Sequence, residues 1–342
     1  MQALLFDSAT GTARTINKPM PLASGYDVVV AVEAVAVNPV DLKVKSTIKN
    51  ATDSKVIGWD ALGTITEVGE QCDDFQPGDR VFYAGDIGRD GSYASHQLVD
   101  SRIIAKAPVS WQAKQIAALP LVSLTAWECL FDRLQIDPLN SADKTLLIIG
   151  AAGGVGSIAI QLAKQLTKLT VIASASRPES AQWCKKLGAD HVIDHHGSLQ
   201  QNYQAADLPA PDYILCLNDS DFYYPQMAEL IAPQGLIALV VSFQHPVDLN
   251  LLKNKSAGLV WEFMFTRPMM KTDDLARQGE ILQHIAKMAD SNQLQPVSQQ
   301  HFSQLTAETL DKAHQLIEHS RTIGKITLGP MAIHSAAGDI PV

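Results

Sequence analysis

A glycine-rich turn between an apolar run and a helix-forming run constrains this chain more than any other feature of its sequence. Residues 145–149 (TLLII) are continuously apolar, residues 150–156 (GAAGGVG) form the turn, and residues 157–166 have a helical pattern. A strand, a glycine turn and a helix in this order bring the backbone close to a pyrophosphate. The unpaired N–H groups and the positive dipole of the helix start then bind it.

The turn departs from the usual G-x-G-x-x-G fingerprint, because the frame that fits is Ala151-x-Gly153-x-x-Gly156. Both flanks have the character that the motif requires, so the sequence predicts dinucleotide binding; the alternative is a glycine-rich structural turn. The residues expected to hold the cofactor here are Gly150, Ala151, Gly153, Gly154, Val155 and Gly156.

Length and charge exclude several other classes of protein. The chain has 342 residues, 46% of them hydrophobic, and a net charge of −9, so it is long enough for two domains and offers no basic surface to nucleic acid. No apolar run reaches the roughly 18–20 residues that span a bilayer. The first residues lack the basic and apolar regions of a signal peptide. We therefore expect a cytoplasmic protein with no nucleic-acid or membrane partner.

The first part of the chain has the pattern of a β-rich domain. Strand-like runs recur at 26–37, 61–69, 80–84 and 92–99, with Gly and Pro between them. Short strands punctuated by turn residues predict a compact, mostly antiparallel β domain.

Beyond Pro108 the pattern changes to alternating helical and apolar runs. Residues 111–135 predict a helix with an interruption near Pro120. Strands are then expected at 144–149, 169–174, 191–194, 212–217 and 235–241, and helices at 154–167, 178–187, 198–205 and 222–232. This alternation is typical of a doubly wound α/β fold, whose parallel sheet is buried on both faces.

The last part of the chain predicts a mixture of elements. They are a strand at 258–265, a long amphipathic helix at 273–290, a strand at 294–302, a helix at 307–319 and a strand at 324–328. Residues 332–342 are small and polar, and we expect a loose tail there.

The end of the second parallel strand indicates which dinucleotide is bound. An acidic residue at this place usually binds the ribose 2′-hydroxyl of NAD, but residues 174–178 (SASRP) contain none. The hydroxyls of Ser174 and Ser176 and the guanidinium of Arg177 suit a 2′-phosphate, so the sequence favours NADP(H). The alternative is that Arg177 is a solvated residue at a helix start. His195, at the end of the third strand, is either a further contact or an ordinary surface histidine.

Several short motifs together resemble the medium-chain dehydrogenase/reductase superfamily over essentially the whole chain. They are residues 37–41 (VNPVD), Gly63 with Gly69, 77–81 (PGDRV), 119–120 (LP), 125–126 (TA), the 150–156 turn, 186–189 (KLGA) and 324–325 (GK). The resemblance is strongest to the quinone-oxidoreductase-like branch. Residues 124–127 (LTAW) and 261–267 (WEFMFTR) resemble a bacterial group called zinc-type alcohol dehydrogenase-like.

This resemblance implies two domains of different architecture. A GroES-like β-rich catalytic domain is expected at 1–118 and 267–342, because the C-terminal strands return to it. A Rossmann domain that binds NADP(H) is expected at 119–266.

The zinc ligands of the superfamily are missing from this chain. Members with catalytic zinc have a cysteine near the position of Pro39 and a Gly-His-Glu turn, where this chain has Gly58-Trp59-Asp60. A catalytic zinc needs three protein ligands, and Asp60 would be alone. The four cysteines, Cys72, Cys129, Cys184 and Cys216, lie far apart, so neither a structural zinc lobe nor a disulfide framework is expected.

By the same resemblance, Asn38 should lie near the nicotinamide, with Asp41 supporting its loop; a plain turn before Pro39 is the alternative. Trp59 is expected to wall the cleft. The phenol of Tyr83 is expected to face a developing oxyanion unless it is a core tyrosine. Asp60 suits the role of a buried partner for a nearby cation.

Five further residues are expected to contact the cofactor. The resemblance places Thr125 in a helix beside the nicotinamide or a phosphate, and Lys325 within reach of a phosphate. The other three, Asn218, Ser242 and Phe243, follow predicted parallel strands, at whose carboxyl ends the ligand crevice lies. A loop or surface role is the alternative for each.

These features together predict an enzyme that uses NADPH and no zinc. We expect it to transfer hydride to a quinone or an α,β-unsaturated carbonyl compound. The alternatives are a zinc-type alcohol or aldehyde dehydrogenase and a nucleotide-binding protein with little turnover.

The apolar run that contains Leu259, Val260 and Trp261 resembles the dimer-edge strand of the family, so we expect a homodimer; an internal core strand is the alternative.

Overall fold

The computed structural model describes residues 1–6, 11–48, 54–319 and 321–332. The strands are β1 (Gln2–Phe6), β2 (Ala13–Asn17), β3 (Asp27–Ala36), β4 (Ala61–Val68), β5 (Arg80–Tyr83), β6 (His96–Asp100), β7 (Ile104–Lys106), β8 (Thr145–Ile149), β9 (Thr170–Ser174), β10 (His191–Ile193), β11 (Tyr213–Cys216), β12 (Leu236–Leu239), β13 (Gly258–Trp261), β14 (Ser298–Phe302) and β15 (Lys325–Leu328). The α-helices are α1 (Pro39–Thr47), α2 (Ala113–Ile116), α3 (Pro120–Trp127), α4 (Gly154–Leu166), α5 (Pro178–Leu187), α6 (Leu199–Ala205), α7 (Ser220–Leu230), α8 (Thr266–Met270), α9 (Arg277–Asp290) and α10 (Ala307–Glu318).

A seven-stranded sheet joins the two ends of the chain. Its order is β14-β15-β3-β4-β5-β7, and β6 also pairs with β3. Its neighbours are antiparallel except for β14 and β15, which run parallel to each other. The C-terminal strands therefore return to the β-rich part, as predicted.

A six-stranded parallel sheet forms the other part of the molecule. Its order is β10-β9-β8-β11-β12-β13, so the strand order reverses between β8 and β11. Successive side chains of β8 point to opposite faces: Leu146 and Ile148 pack in one buried cluster, and Leu147 and Ile149 in another. Helices α4 and α5 cover the first face, and α6 and α7 the second. The predicted α/β class, with a β-rich part and a doubly wound Rossmann sheet, is confirmed; the predicted domain boundaries stay predictions.

Some element predictions differ from the structure. The strand predicted at 258–265 ends at Trp261, because Phe263 O accepts from Thr266 N and turns the chain into α8. The helix predicted at 273–290 begins at Arg277. The region 111–135 contains α2 and α3, followed by a π-helical turn at Glu128–Arg133.

The β-rich part also shows shifts in element bounds. The strand predicted at 92–99 is β6, which begins at His96, and the strand predicted at 294–302 begins at Ser298, after Pro296. Helix α1 was not predicted; it starts with Pro39 after an Asn38 cap, and proline is well suited to the first turn of a helix. The predicted tail at 332–342 lies outside the described residues except for Ala332.

The described residues also bear on the expectations about membrane-spanning helices and about the cysteines. Among them, no helix combines the length and the apolar character needed to cross a bilayer. The four cysteines are free thiols.

Candidate functional site

A cleft of about 530 Å³ lies at the carboxyl ends of the parallel strands, beside the N-terminus of α1 and the start of β15. This is the place where the strand order reverses, which in open α/β sheets is the usual ligand crevice. The predicted site residues that line it are Asn38, Thr125, Gly150, Gly153, Gly154, Val155, Gly156, Ser174, Ser176, Arg177, His195, Asn218, Ser242 and Lys325. Those that do not line it are Asp41, Trp59, Tyr83, Ala151 and Phe243.

The glycine turn leaves an open anion site at the start of α4. Gly150 has a φ of +80°, which favours glycine, and Gly153 caps the helix without any side-chain hydrogen bond. A Cβ built on Gly153 would meet only Gly150 O, at 3.5 Å. The space above Gly153 and the uncapped N–H groups of a 13-residue helix fit a dinucleotide pyrophosphate.

Two other glycines of the turn allow close packing within the protein. A Cβ on Gly156 would lie 2.4 Å from the carbonyl oxygen of Ala151, and one on Gly154 would lie 2.7 Å from Cδ of Lys325. Ala151 thus supports the turn from behind, where it is buried, and the prediction that it lines the cofactor site is wrong.

Hydroxyl, imidazole and guanidinium groups converge beyond the end of β9. The Ser174 hydroxyl accepts from Gly150 N at 3.2 Å and lies 3.1 Å from Nδ1 of His195, so it links the glycine turn to the segment that follows β10. Burial lowers the pKa of His195, which favours the neutral ring.

Arg177 follows on the open side of this patch. Its guanidinium donates to Arg321 O at 2.8 Å and pairs with Glu179 at 3.3 Å, and its side chain is 36% exposed. These contacts use only part of its five donors, so Arg177 remains able to bind a phosphate.

Three buried polar side chains form the part of the cleft nearest the β-rich sheet. Asp60 Oδ2 accepts from Asn38 Nδ2 and from Lys325 Nζ, each at 2.8 Å. Lys325 Nζ also donates to Asn38 Oδ1 at 2.5 Å and to Val37 O at 2.9 Å. Asp60 is therefore the buried partner of a cation, as the sequence suggested. Lys325 Nζ already donates to three protein oxygens, and its predicted contact with a phosphate stays a prediction.

Asp41 supports the Asn38 loop from below. Its carboxyl accepts from Asn38 N at 2.7 Å and from the Tyr93 hydroxyl at 2.5 Å. Burial raises the pKa of Asp41 to about 7, although the hydrogen bond from Tyr93 opposes that rise. Asp41 is fully buried, so it acts on the cleft only through Asn38.

The structure contradicts the roles predicted for three aromatic residues. Trp59 is fully buried behind the cleft wall, where its ring packs in a T-shaped arrangement with that of Phe265, their centroids 5.9 Å apart. The Tyr83 hydroxyl is buried and has no hydrogen-bond partner among the described residues, so Tyr83 is a core tyrosine. Phe243 packs between the rings of Tyr224 and Trp261, and does not reach the cleft.

A hydrophobic wall of the cleft was not predicted. It consists of Phe263, Met264 and Phe265, whose aromatic rings lie 5.5 Å apart. These residues belong to the 261–267 motif, whose sequence indicated a family resemblance and a dimer edge but no part in the cleft. Lys43 and Thr322 also line the cleft, and nothing in their local sequence indicated it.

The residues present here do not fit a zinc ion. Among the described residues, no group of three His, Cys, Asp or Glu side chains could hold a metal. The carboxylate of Asp60 is already occupied by the ammonium of Lys325, the amide of Asn38 and the backbone N–H of Leu121.

The fold and the cleft define an oxidoreductase with a GroES-like part and a Rossmann part. The family of alcohol dehydrogenase GroES-like domains matches residues 24–109, and the family of zinc-binding dehydrogenases matches residues 187–328. A zinc-type alcohol dehydrogenase-like protein of Staphylococcus aureus is 44% identical over 314 residues, which cover 91% of this chain and 92% of the relative. The chain belongs to the medium-chain dehydrogenase/reductase superfamily.

Solved structures agree with this membership. A Rhizobium etli protein assigned to the zinc-dependent alcohol dehydrogenases is 41% identical and superposes with a TM-score of 0.92, covering 97% of this chain and 99% of its own. Escherichia coli quinone oxidoreductase, solved in complex with NADPH, has the same fold at 22% identity, with a TM-score of 0.81 over 96% of this chain and 100% of its own.

Proposed function

We propose that this protein is an NADPH-dependent, zinc-independent oxidoreductase that transfers hydride to a quinone or an α,β-unsaturated carbonyl compound. One observation carries the proposal. A single cleft contains the open glycine turn, the Arg177 patch, the amide of Asn38 and an aromatic wall. It thus offers sites for a dinucleotide and for a flat acceptor in the same space.

The preference for NADPH rests on charge at the end of β9. Ser174, Ser176 and Arg177 line the cleft there without a carboxylate among them, and a guanidinium suits a 2′-phosphate better than a 2′-hydroxyl. The relative from Escherichia coli, which shares the fold, is a quinone oxidoreductase solved with NADPH, and this supports the same cofactor.

The preference for a conjugated acceptor rests on the hydrophobic wall formed by residues 263–265. Phe263 is 43% exposed and lines the cleft, so its ring is available to stack on a planar acceptor. Bound NADPH supplies a hydride. The residues of this chain position the acceptor beside Asn38, exclude water with the 263–265 wall, and stabilise the charge that develops on the acceptor oxygen.

The proposal is tested by NADPH consumption against quinones, enones and simple aldehydes, before and after treatment with a chelator. We expect turnover with quinones or enones that the chelator does not change. Turnover that the chelator abolishes would indicate the zinc-type dehydrogenase instead. Tight NADPH binding without turnover of any acceptor would indicate a nucleotide-binding protein.

A metal measurement tests the zinc part separately. The pure protein is equilibrated with zinc, dialysed and analysed for metal. We expect no tightly held ion, and one ion retained per chain would contradict the proposal.

A further inference from the structure

A buried ion pair lies directly under the amide of Asn38. Asp60 and Lys325 are 0% and 4% exposed, and their charged atoms are 2.8 Å apart. Asp60 Oδ1 also accepts from Leu121 N at 2.7 Å, in the first turn of α3. Burial raises the pKa of Asp60 and the Lys325 ammonium opposes that rise. Because all three of its described hydrogen-bond partners are donors, we treat the carboxyl as ionised.

This ion pair fixes which way the amide of Asn38 points. Its Oδ1 faces the ammonium of Lys325, and its Nδ2 faces the carboxylate of Asp60. A flipped amide would place oxygen against the carboxylate and N–H groups against the ammonium, and both contacts would be repulsive. Two charges therefore hold the amide in one orientation.

One N–H of this amide is left for a ligand. Nδ2 carries two hydrogens, and within the described residues only Asp60 accepts from it. Asn38 is itself 1% exposed yet lines the cleft. The lysine stem packs against Gly154 of the cofactor turn, since a Cβ there would meet Lys325 Cδ at 2.7 Å. The cofactor turn and the amide are thus linked through a single side chain.

We propose that Asp60 and Lys325 are positioning residues that hold the second N–H of Asn38 toward the acceptor oxygen, and that Asn38 stabilises the oxyanion that forms there. The inference rests on the proposed function and adds residues to it. A donor that is already oriented in a dry site needs no reorganisation when charge develops. The ammonium beside Oδ1 also polarises the amide, which strengthens its N–H as a donor.

The electron balance of the step places a negative charge on the acceptor oxygen, where such a donor would act. Hydride from NADPH brings two electrons and one hydrogen to the acceptor carbon, and the displaced π pair moves to the acceptor oxygen. For an enone, the α carbon of the resulting enolate then takes a proton from water. For a quinone, both oxygens take protons from water, and the ring carbon that received the hydride gives up one proton to water, which makes the ring aromatic. The products are NADP⁺ and the hydroquinone or saturated ketone.

The kinetic test removes the ion pair as a unit. Lys325→Met with Asp60→Asn leaves the pair without an unpaired buried charge, so the variant should fold. Lys312→Met with Glu308→Gln is the matched control at an exposed pair. We expect Asn38→Ala to lower kcat about 100-fold and the double variant to lower it tenfold or more. The NADPH Kd of each should stay within twofold of the wild type, and the control should not change kcat.

The decisive result is how these losses combine. If Asp60 and Lys325 act through Asn38, adding the double variant to Asn38→Ala lowers kcat no further. Losses that multiply would show independent, merely structural roles and would overturn the inference. So would a double variant with wild-type kcat.

A spectroscopic test keeps the inference separate from the proposed reaction. The NADP⁺-loaded protein is titrated with 4-nitrophenol, whose phenolate absorbs visibly and resembles the oxyanion. We expect bound nitrophenol to ionise at lower pH than free nitrophenol, and Asn38→Ala to abolish that shift. No binding, or an unshifted titration, would overturn the inference. A shifted titration without turnover of any acceptor would overturn only the proposed function.

Discussion

Gly153 and Gly156 stand three positions apart in the cofactor turn and are needed for different physical reasons. A Cβ on Gly156 would overlap the backbone of Ala151, whereas a Cβ on Gly153 would project into open space. Gly153 also has an ordinary φ of −72°. The space above Gly153 is therefore open to the cleft, whereas the space at Gly156 is filled by the protein's own backbone.

Alanine substitutions at these two glycines separate the two roles. We expect Gly153→Ala to cost less than about 1 kcal/mol of stability, the usual price of a poorer helix cap, yet to weaken NADPH binding at least tenfold. Gly156→Ala should cost roughly 1–3 kcal/mol through overpacking. Thermal unfolding and fluorescence titration with NADPH measure the two effects. Unchanged NADPH affinity in Gly153→Ala would contradict a pyrophosphate site at this turn.

Arg177 gives the most direct test of the cofactor preference. Because its ion pair with Glu179 is partly exposed to solvent, removing that pair should change stability little. We expect Arg177→Ala to raise the Kd for NADPH at least tenfold and to leave the Kd for NADH within twofold. Lys312→Ala, at an exposed pair on α10, is the control. An equal loss of both cofactors would show that Arg177 does not bind the 2′-phosphate.

For single residues, the sequence could predict which side chains line the cleft but not which other residues they contact. Gly150, Ser176 and Arg177 were predictable because the motif places them in one strand–turn–helix unit. For Lys325, nothing in the sequence shows that residues 37–38 and 60 bring three acceptor oxygens to its ammonium. Lys325 and Asp60 are 265 positions apart in the sequence, and only the folded sheet brings them into contact.

The segment after β13 shows the same limit at the scale of an element. Residues 258–265 are mostly apolar, with Glu262 as the one charged residue, and such a run fits a buried strand and a buried turn equally well. The structure turns at Phe263, because Gln278 Nε2 donates to Met264 O and Arg267 forms an ion pair with Glu128 at 2.8 Å. A buried cluster of charges therefore shapes the cleft wall.

Glu262 makes this cluster sensitive to pH. It lies beside Glu128, Arg133 and Arg267, with Asp132 and Asp274 on the far side of Arg267. Burial raises the pKa of Glu262 from 4.5 to about 9, and the charge of Glu128 adds to the rise. The folded state thus binds a proton that the unfolded state releases, so this group makes stability fall as pH rises from about 4.5 to about 9.

Glu262→Gln removes that titration while keeping the shape of the side chain. We expect the variant to match the wild type near pH 5 and to become progressively more stable than the wild type up to pH 9. Urea unfolding at several pH values measures the difference. If the difference in free energy of unfolding between the variant and the wild type shrinks or stays constant as pH rises, Glu262 is ionised in the folded protein.

At the scale of the whole molecule, β13 is an edge strand, since β12 is its one partner among the strands that the structure describes. Trp261, at its end, is 45% exposed. Open strand edges with large apolar side chains are suited to pairing with another chain. We propose that two copies join their six-stranded sheets along β13 to form a homodimer.

Light scattering after size exclusion tests this proposal. We expect the wild type to be dimeric at micromolar concentration and Trp261→Lys to be monomeric. Phe222→Lys, at an exposed aromatic residue on α7, should leave the dimer intact. A monomeric wild type would contradict pairing along β13.

The central claim is that this chain reduces a conjugated acceptor with NADPH and without a metal. The most direct measurement uses chelator-treated protein, NADPH deuterated at the transferred position and an enone, with the product analysed by mass spectrometry. We predict deuterium on the β carbon of the saturated ketone. Recovery of the enone unreduced would contradict the claim. So would deuteride transfer that returns only when zinc is added back.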